Sequence, residues 1–382
     1  MKIIDTDSHL TEPPDLWSSR LPKRWVDRGP RVVWHDPSGM ERWLIGDRVA
    51  APVGGTSGAG RYRLPGCPKT WAEVVPECYD PKHRSAWLDE HGITAQVLYS
   101  NVLAFDAHAF MALDDPALAI ACVRAYNDHQ TDFAAAAPGR FIPITNLPFW
   151  DVAATVAELE RCAENGHRGL LWAATFEKHG LPVHTDPHWD PVYDAAQSLG
   201  LPVNFHVGVG KTEEEITISR AKGSAFDPAF NTQRSAMGWL SNANTIAGLV
   251  MSGVCDRFPD LKFVSVESGF GYLPYLMEAL DWQWLGSSGR EQYPDRLLPS
   301  EYFRRQIYTM FWFERSALSM LHQLPDNVMF ETDFPHATSL TPGPESEARS
   351  PGVIAQQLLD ELGSDLMDKV LYENAARLYH LD

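Results

Sequence analysis

The chain alternates between short apolar runs and longer segments whose apolar residues stand three and four apart. The first run leads into I-D-T-D-S-H-L, where strand side chains repeat every second position, so Asp5, Asp7 and His9 share one face. From Pro81 onward the order becomes helix, apolar strand, polar loop. The spacing predicts helices over 84–91, 116–136, 152–165, 190–199, 242–252, 274–284 and 317–324, several of them closed by a glycine such as Gly92, Gly166, Gly200 or Gly253. Strands are predicted over 95–100, 141–147, 169–175, 202–208, 263–269, 306–311 and 328–333. With the first, that makes eight.

Strands separated by helices pair in parallel through βαβ crossovers. Eight such units predict an α/β fold, the (β/α)8 TIM barrel, whose chemistry sits at the C-terminal ends of the strands. A doubly wound open sheet is the structural alternative. The stretch 18–80 reads as a long insertion after strand one, and it contains G-G-T-S-G-A-G from Gly54 to Gly60. Those glycines do not link a strand to a helix with nucleotide-binding spacing, so the insertion is expected to be a mobile lid or pocket segment. The loop 210–238 is expected to supply more of the pocket, within a single domain spanning 1–382.

Composition narrows the class. At 382 residues the chain suits one barrel with insertions, and 44% hydrophobic with 21% charged residues is a soluble globular balance. The net charge of −18 would repel nucleic acid and anionic membrane surfaces, so neither is expected as a partner. No apolar run approaches the ~18 residues of a membrane span, and no signal peptide precedes the first strand, which predicts a cytoplasmic protein. Five cysteines without a C-x-x-C read as free thiols. Most of the 13 tryptophans are expected in core or interface packing.

In a barrel, polar residues at the ends of distant strands meet. Strand one brings Asp7 and His9, strand five His206, strand six Glu267, and strand eight Asp333, with His336 just beyond. Two imidazoles and two carboxylates form a ligand set for one divalent metal ion, Zn2+ or Mn2+, with Fe2+ as a further candidate. Taken singly, each has a plainer reading: a hydrogen-bonded core histidine, a helix cap, a polar turn. Asp5 lies deeper on the same face and is expected to support the ligands, while Glu12 belongs to the adjoining loop.

The stretches I-D-T-D-S-H-L-T-E-P, D-P-K-H-R-S-A-W-L-D-E-H-G-I-T-A-Q-V-L, G-L-P-V-N-F-H-V-G, S-G-V-C-D-R-F-P-D-L-K-F-V-S-V-E-S-G and F-E-T-D-F-P-H carry a resemblance. The chain resembles the amidohydrolase-related proteins of the aminocarboxymuconate-semialdehyde decarboxylase group, within the amidohydrolase superfamily. The resemblance implies one divalent metal held by Asp7, His9, His206 and Asp333, and it implies a homodimer. Many relatives have His-x-His on strand one, where this chain has Asp7-x-His9. Decarboxylases of the group usually place a catalytic histidine where Glu267 stands here.

The leading expectation is metal-dependent, non-oxidative decarboxylation of an aromatic or unsaturated carboxylic acid. Asp333 or Glu267 would supply the proton, and Arg84 and His336 would orient the substrate carboxylate. The alternative is hydrolysis of an amide, lactone or related bond by metal-activated water, with Asp333 as base. A non-catalytic barrel that retains a relict site is the third reading. In either enzymatic case the partner is a small organic molecule.

Overall fold

The strands form where the apolar runs lie. In chain order they are β1 (Ile4–Leu10), β2 (Arg31–His35), β3 (Met40–Ile45), β4 (Arg48–Pro52), β5 (Ala95–Ser100), β6 (Phe141–Pro143), β7 (Leu170–Trp172), β8 (Val203–His206), β9 (Phe263–Val266), β10 (Ile307–Phe311) and β11 (Val328–Phe330). This computed structural model describes residues 1–103, 105, 107–208 and 227–381. Every strand expected from the apolar pattern is present, at or near its predicted position.

All eight are parallel to their neighbours. One sheet runs β1-β5-β6 and another β7-β8-β9-β10-β11. Two bridges join them, Thr145 with Leu170 and Ser8 with Phe334. The bonds Leu171 N–H to Thr145 O (2.9 Å) and Asp333 N–H to Asp7 O (3.0 Å) complete the circuit. The result is the (β/α)8 barrel, with its strands buried on both faces.

Aspartate caps start many of the helices between the strands. Asp80 accepts the His83 N–H ahead of the helix Pro81–His91, Asp115 serves Pro116–Ala135, and Asp151 serves Val152–Glu164. Proline at the first helical position sharpens the first two starts. Among the described residues, no helix is long and apolar enough to cross a membrane. The five cysteines are free, and four of them are buried. Trp17, Trp43, Trp172 and Trp189 lie in the core, as packing predicts, whereas Trp282 is exposed.

Two segments hold more regular structure than the sequence suggested. The insertion 18–80, expected as a mobile lid or pocket segment, contains an antiparallel sheet of β2, β3 and β4. Trp43 of β3 is fully buried edge-on against Trp17, 5.0 Å between ring centroids, which anchors that sheet to the barrel. The alternation in M-E-R-W-L-I carried the strand signal, and the flanking Gly and Pro obscured it. Similarly, the segment expected as a loop over 210–238 contains a helix, Pro228–Trp239, capped by Asp227. Residues 209–226 lie outside the described residues.

The glycine-rich stretch has a packing role. Ala59 N–H bonds to Pro335 O (2.7 Å) and Glu345 N–H to Gly60 O (2.9 Å), which lays the insertion on the loop after β11. Gly60 has φ +69°, and a Cβ there would stand 2.6 Å from the Pro342 carbonyl oxygen. Both the left-handed backbone and the close approach require glycine. Gly60→Ala is expected to lower stability by about 2 kcal/mol, read from urea unfolding midpoints at unchanged slope.

Candidate metal centre and active site

β1 is buried along its whole length, so each polar side chain on it needs a partner. Asp5 finds its partners within the barrel. Its carboxylate accepts the Thr332 N–H (2.7 Å), the Thr332 hydroxyl (2.6 Å) and the Gln96 amide (2.7 Å), which ties β1 to β5 and to the end of β11. That is the supporting role expected of it. Glu12 accepts the Val102 N–H through both oxygens, at 3.0 and 2.9 Å, and so joins the loops after β1 and β5.

Asp7 and His9 are left facing the mouth, where His206 and Asp333 meet them. His9 Nε2 lies 3.5 Å from Asp7 Oδ1 and 3.5 Å from Asp333 Oδ1, and His206 Nε2 lies 3.4 Å from Asp7 Oδ1. The barrel therefore brings together the four residues that the sequence placed on strands one, five and eight. All are almost wholly buried.

Hydrogen bonding fixes the tautomers of the two imidazoles. His9 Nδ1 donates to Ser100 O at 2.7 Å, and His206 Nδ1 donates to Val207 O at 2.7 Å. Each ring has only one N–H when neutral, so Nε2 presents a lone pair to the cluster. Both Nε2 atoms, both Asp7 oxygens and both Asp333 oxygens are buried without a hydrogen-bond partner. Each such group costs about 1–3 kcal/mol unless something else satisfies it. Ligand atoms about 2.0–2.2 Å from a zinc-like ion stand about 3.3–3.6 Å apart along a tetrahedral edge. Two overlapping groups, Asp7–His9–His206 and His9–Asp333–His336, each have the donor set and spacing that suit a divalent cation.

The electrostatics agree. Burial, then the Asp7 charge, pushes Asp333 well above the ordinary carboxylate range. Burial, then Asp333, does the same to Glu267. Burial would also raise Asp7, but without a cation the charge of His206, whose own pKa Asp7 raises, outweighs it and holds that carboxyl low. Burial keeps His9 neutral. The cluster concentrates more negative charge than it can hold without a cation or protons.

Backbone strain aims two of these side chains. Glu267 (φ +52°) and Asp333 (φ +60°) occupy the left-handed region, which costs a residue with a Cβ about 1–3 kcal/mol. Both follow the last residues of their strands. The Trp239 indole N–H donates to Glu267 Oε1 (3.2 Å), and Glu267 Oε2 stands 3.7 Å from His206 Nδ1.

His336 belongs to the same cluster. Its ring stacks on His9, centroids 4.0 Å apart, and its Nδ1 lies 2.6 Å from Asp333 Oδ1. Asn101 donates through Nδ2 to Thr11 and Ser57, so its Oδ1 is the acceptor for His336 Nε2–H at 3.1 Å. That leaves the Nδ1 lone pair facing a carboxylate oxygen, and a proton or cation must lie between them.

Arg84 does not reach the cavity. It was expected to orient a substrate carboxylate, but its guanidinium is fully buried behind β1. It donates to Glu77 O, to Gln96 Oε1 (3.0 Å) and to His9 O (2.8 Å). Its helix lies behind the barrel wall, so the side chain supports the His9 backbone instead. Sequence reasoning also missed three residues. Glu331, two positions before Asp333 on the same face, accepts the Glu267 N–H (3.3 Å), and strand alternation could have found it. Asn101 gave no such signal, since loop placement brings it in, and Trp239 stood out only as one of several tryptophans near expected loops.

Above the cluster opens a cavity of 370 Å3, walled by Phe105 and Trp239 and bordered by Asn101, Arg234, Glu267 and His336. A single substituted aromatic ring fits that space.

The fold and this strand-end cluster define an α/β barrel with a candidate mononuclear metal centre. The chain belongs to the amidohydrolase family, whose family model matches residues 4–381. A gamma-resorcylate decarboxylase of Rhizobium sp. is 27% identical over 276 residues, 69% of this chain and 80% of that protein. The fold is shared with an amidohydrolase of Mycobacterium avium subsp. paratuberculosis (TM-score 0.73, 22% identity, 100% and 98% of the two chains). It is shared too with a dihydroxybenzoic acid decarboxylase of Polaromonas sp. solved with manganese and 2-nitroresorcinol (TM-score 0.66, 19% identity, 100% and 97%).

Elemental analysis is expected to find about one equivalent of divalent metal per chain, lost in His206→Ala and Asp333→Ala while circular dichroism stays native. Arg84→Met is expected to retain that metal at low temperature but to cost about 3 kcal/mol or more of stability, through the unpaired buried groups it leaves.

Proposed function

We propose that this protein is a metal-dependent, non-oxidative decarboxylase of an aromatic or unsaturated carboxylic acid. Asp7, His9, His206 and Asp333 would hold one Mn2+ or Zn2+, with Fe2+ as a further candidate. The observation that carries the reading is the set of unpartnered, buried donor atoms at the floor of a ring-sized cavity, with the Glu267 carboxyl beside it. The gamma-resorcylate decarboxylase relative supports the choice of reaction.

When bound, the ion supplies Lewis-acid stabilisation of the negative charge that develops as the carbon–carbon bond breaks. The rest falls to the chain's own residues. The substrate carboxylate leaves as CO2, its bonding pair stays on the ring carbon, and one proton takes the vacated position. Glu267 is placed to give that proton. Its Oε1 is fixed by the Trp239 N–H, and the side chain faces the cavity from a strained turn that sets its direction. Phe105, edge-on to His206 at 4.7 Å, walls the ring site and limits water. His336 lies at the same wall with one ring nitrogen on Asn101 and the other on Asp333, so it would orient Asp333 and only through it the substrate.

Hydrolysis of an amide or lactone is the second reading. The close His336–Asp333 contact favours it, because that pair can take a proton from water and pass it on.

Metal-loaded protein is expected to release CO2 from hydroxylated benzoic acids without incorporating 18O from labelled water into the organic product. Labelled oxygen in a cleaved amide or lactone would replace this reading with hydrolysis. Glu267→Gln is expected to lower kcat by about 100-fold or more with metal content unchanged, which separates proton delivery from metal binding.

A further inference from the structure

Among the described residues lining the active-site cavity, Arg234 is the one arginine or lysine. It stands on the helix Pro228–Trp239, one turn before Gly238, and both line the cavity together with Trp239 at the helix end. The side chain is half-buried, and among the described residues nothing is hydrogen-bonded or ion-paired to its guanidinium. Other partly buried arginines are matched: Arg161 with Glu158, Arg257 with Asp190, Arg296 with Asp256. In a chain of net charge −18, carboxylates are plentiful, and Arg234 pairs with none of the described ones. Glu267, which shares the cavity, is directed instead to Trp239 and His206.

We propose that Arg234 binds an anionic group that the substrate retains through the reaction, so that the substrate is an aromatic acid bearing two carboxylates. One lies at the ligand cluster and is lost; the other pairs with Arg234. The choice of the retained group rests on the decarboxylase reading. A carboxylate that departs as neutral CO2 gives up its charge in the transition state, and a guanidinium on it would stabilise the ground state more and slow the step. On a non-reacting carboxylate the same guanidinium holds ground and transition states alike, which lowers KM without opposing kcat. The planar fork of arginine matches a carboxylate in two parallel hydrogen bonds. A cavity of 370 Å3 accommodates one ring with two such groups.

The test is calorimetric binding of isophthalate and benzoate to the metal-loaded protein, which needs no turnover. Wild type is expected to bind isophthalate about 10- to 100-fold more tightly than benzoate, and Arg234→Gln to abolish that preference. Arg234→Lys should restore part of it. Equal affinity of wild type for the two acids, or a preference that survives Arg234→Gln, would overturn the proposal. Turnover then separates the two readings. A diacid preference without CO2 release from 4-hydroxyisophthalate would remove the decarboxylase reading and keep the Arg234 subsite; CO2 release without the preference would do the reverse. Where CO2 is released, Arg234→Gln is expected to raise KM for 4-hydroxyisophthalate with kcat changed by less than about threefold, and to leave KM for 2-hydroxybenzoate unaltered.

Discussion

Everything at the barrel mouth depends on one constraint: the buried carboxylates of Asp7 and Asp333 and the imidazoles of His9 and His206 converge at the strand ends. Asp7, His9, His206 and Asp333 are buried, linked in a row by three contacts of 3.4–3.5 Å, and unsatisfied at six polar atoms. The N–H groups of His9 and His206 are spent on backbone carbonyls and cannot relieve that, which leaves a proton shared between Asp333 and His336, or a cation. The site is thus expensive for the apo fold and favourable for the loaded one, a balance expected where function rather than stability selects the residues.

The surrounding structure holds this arrangement from behind. Asp5 clasps Gln96 and Thr332, and Arg84 clasps Gln96 and the carbonyl of His9, so β1 is gripped from two sides at the level of Asp7 and His9. Ser100 O and Val207 O orient the imidazoles. The left-handed turns at Glu267 and Asp333 swing their carboxyls toward the axis, and the loop containing Asn101 locks His336. The insertion closes over this assembly through backbone contacts that only glycine permits, at Gly60 in particular. The rigid frame and the strained turns complement one another, since strain persists only where its surroundings over-determine it.

The cavity is made differently from the cluster beneath it. Its floor, the candidate ligand cluster, comes from strand ends, while its walls come from Phe105, from the insertion through Thr56, and from the helix Pro228–Trp239 with Arg234 and Trp239. Barrels of this family can therefore keep the floor and change the walls, which fits a chain matched by the family over residues 4–381 yet only 27% identical to a decarboxylase relative.

The sequence by itself determined the eight strands, their parallel order through intervening helices, and the inward direction of Asp7, His9, His206 and Asp333. Those follow from local periodicity: a strand shows two faces, and a polar residue at the end of an apolar run has one place to point in a barrel. It also contained, unread, the alternation of β3 and the Glu331–Asp333 pair. Tertiary structure alone decided which polar residues became active-site groups and which became scaffold. Arg84 looked like a substrate-binding cation and is a buried brace, while Arg234, inconspicuous in its segment, faces the cavity. The reason is geometric. Periodicity fixes the face on which a side chain leaves its own element, but which surface that face meets depends on how helices and loops distant in sequence pack around the barrel.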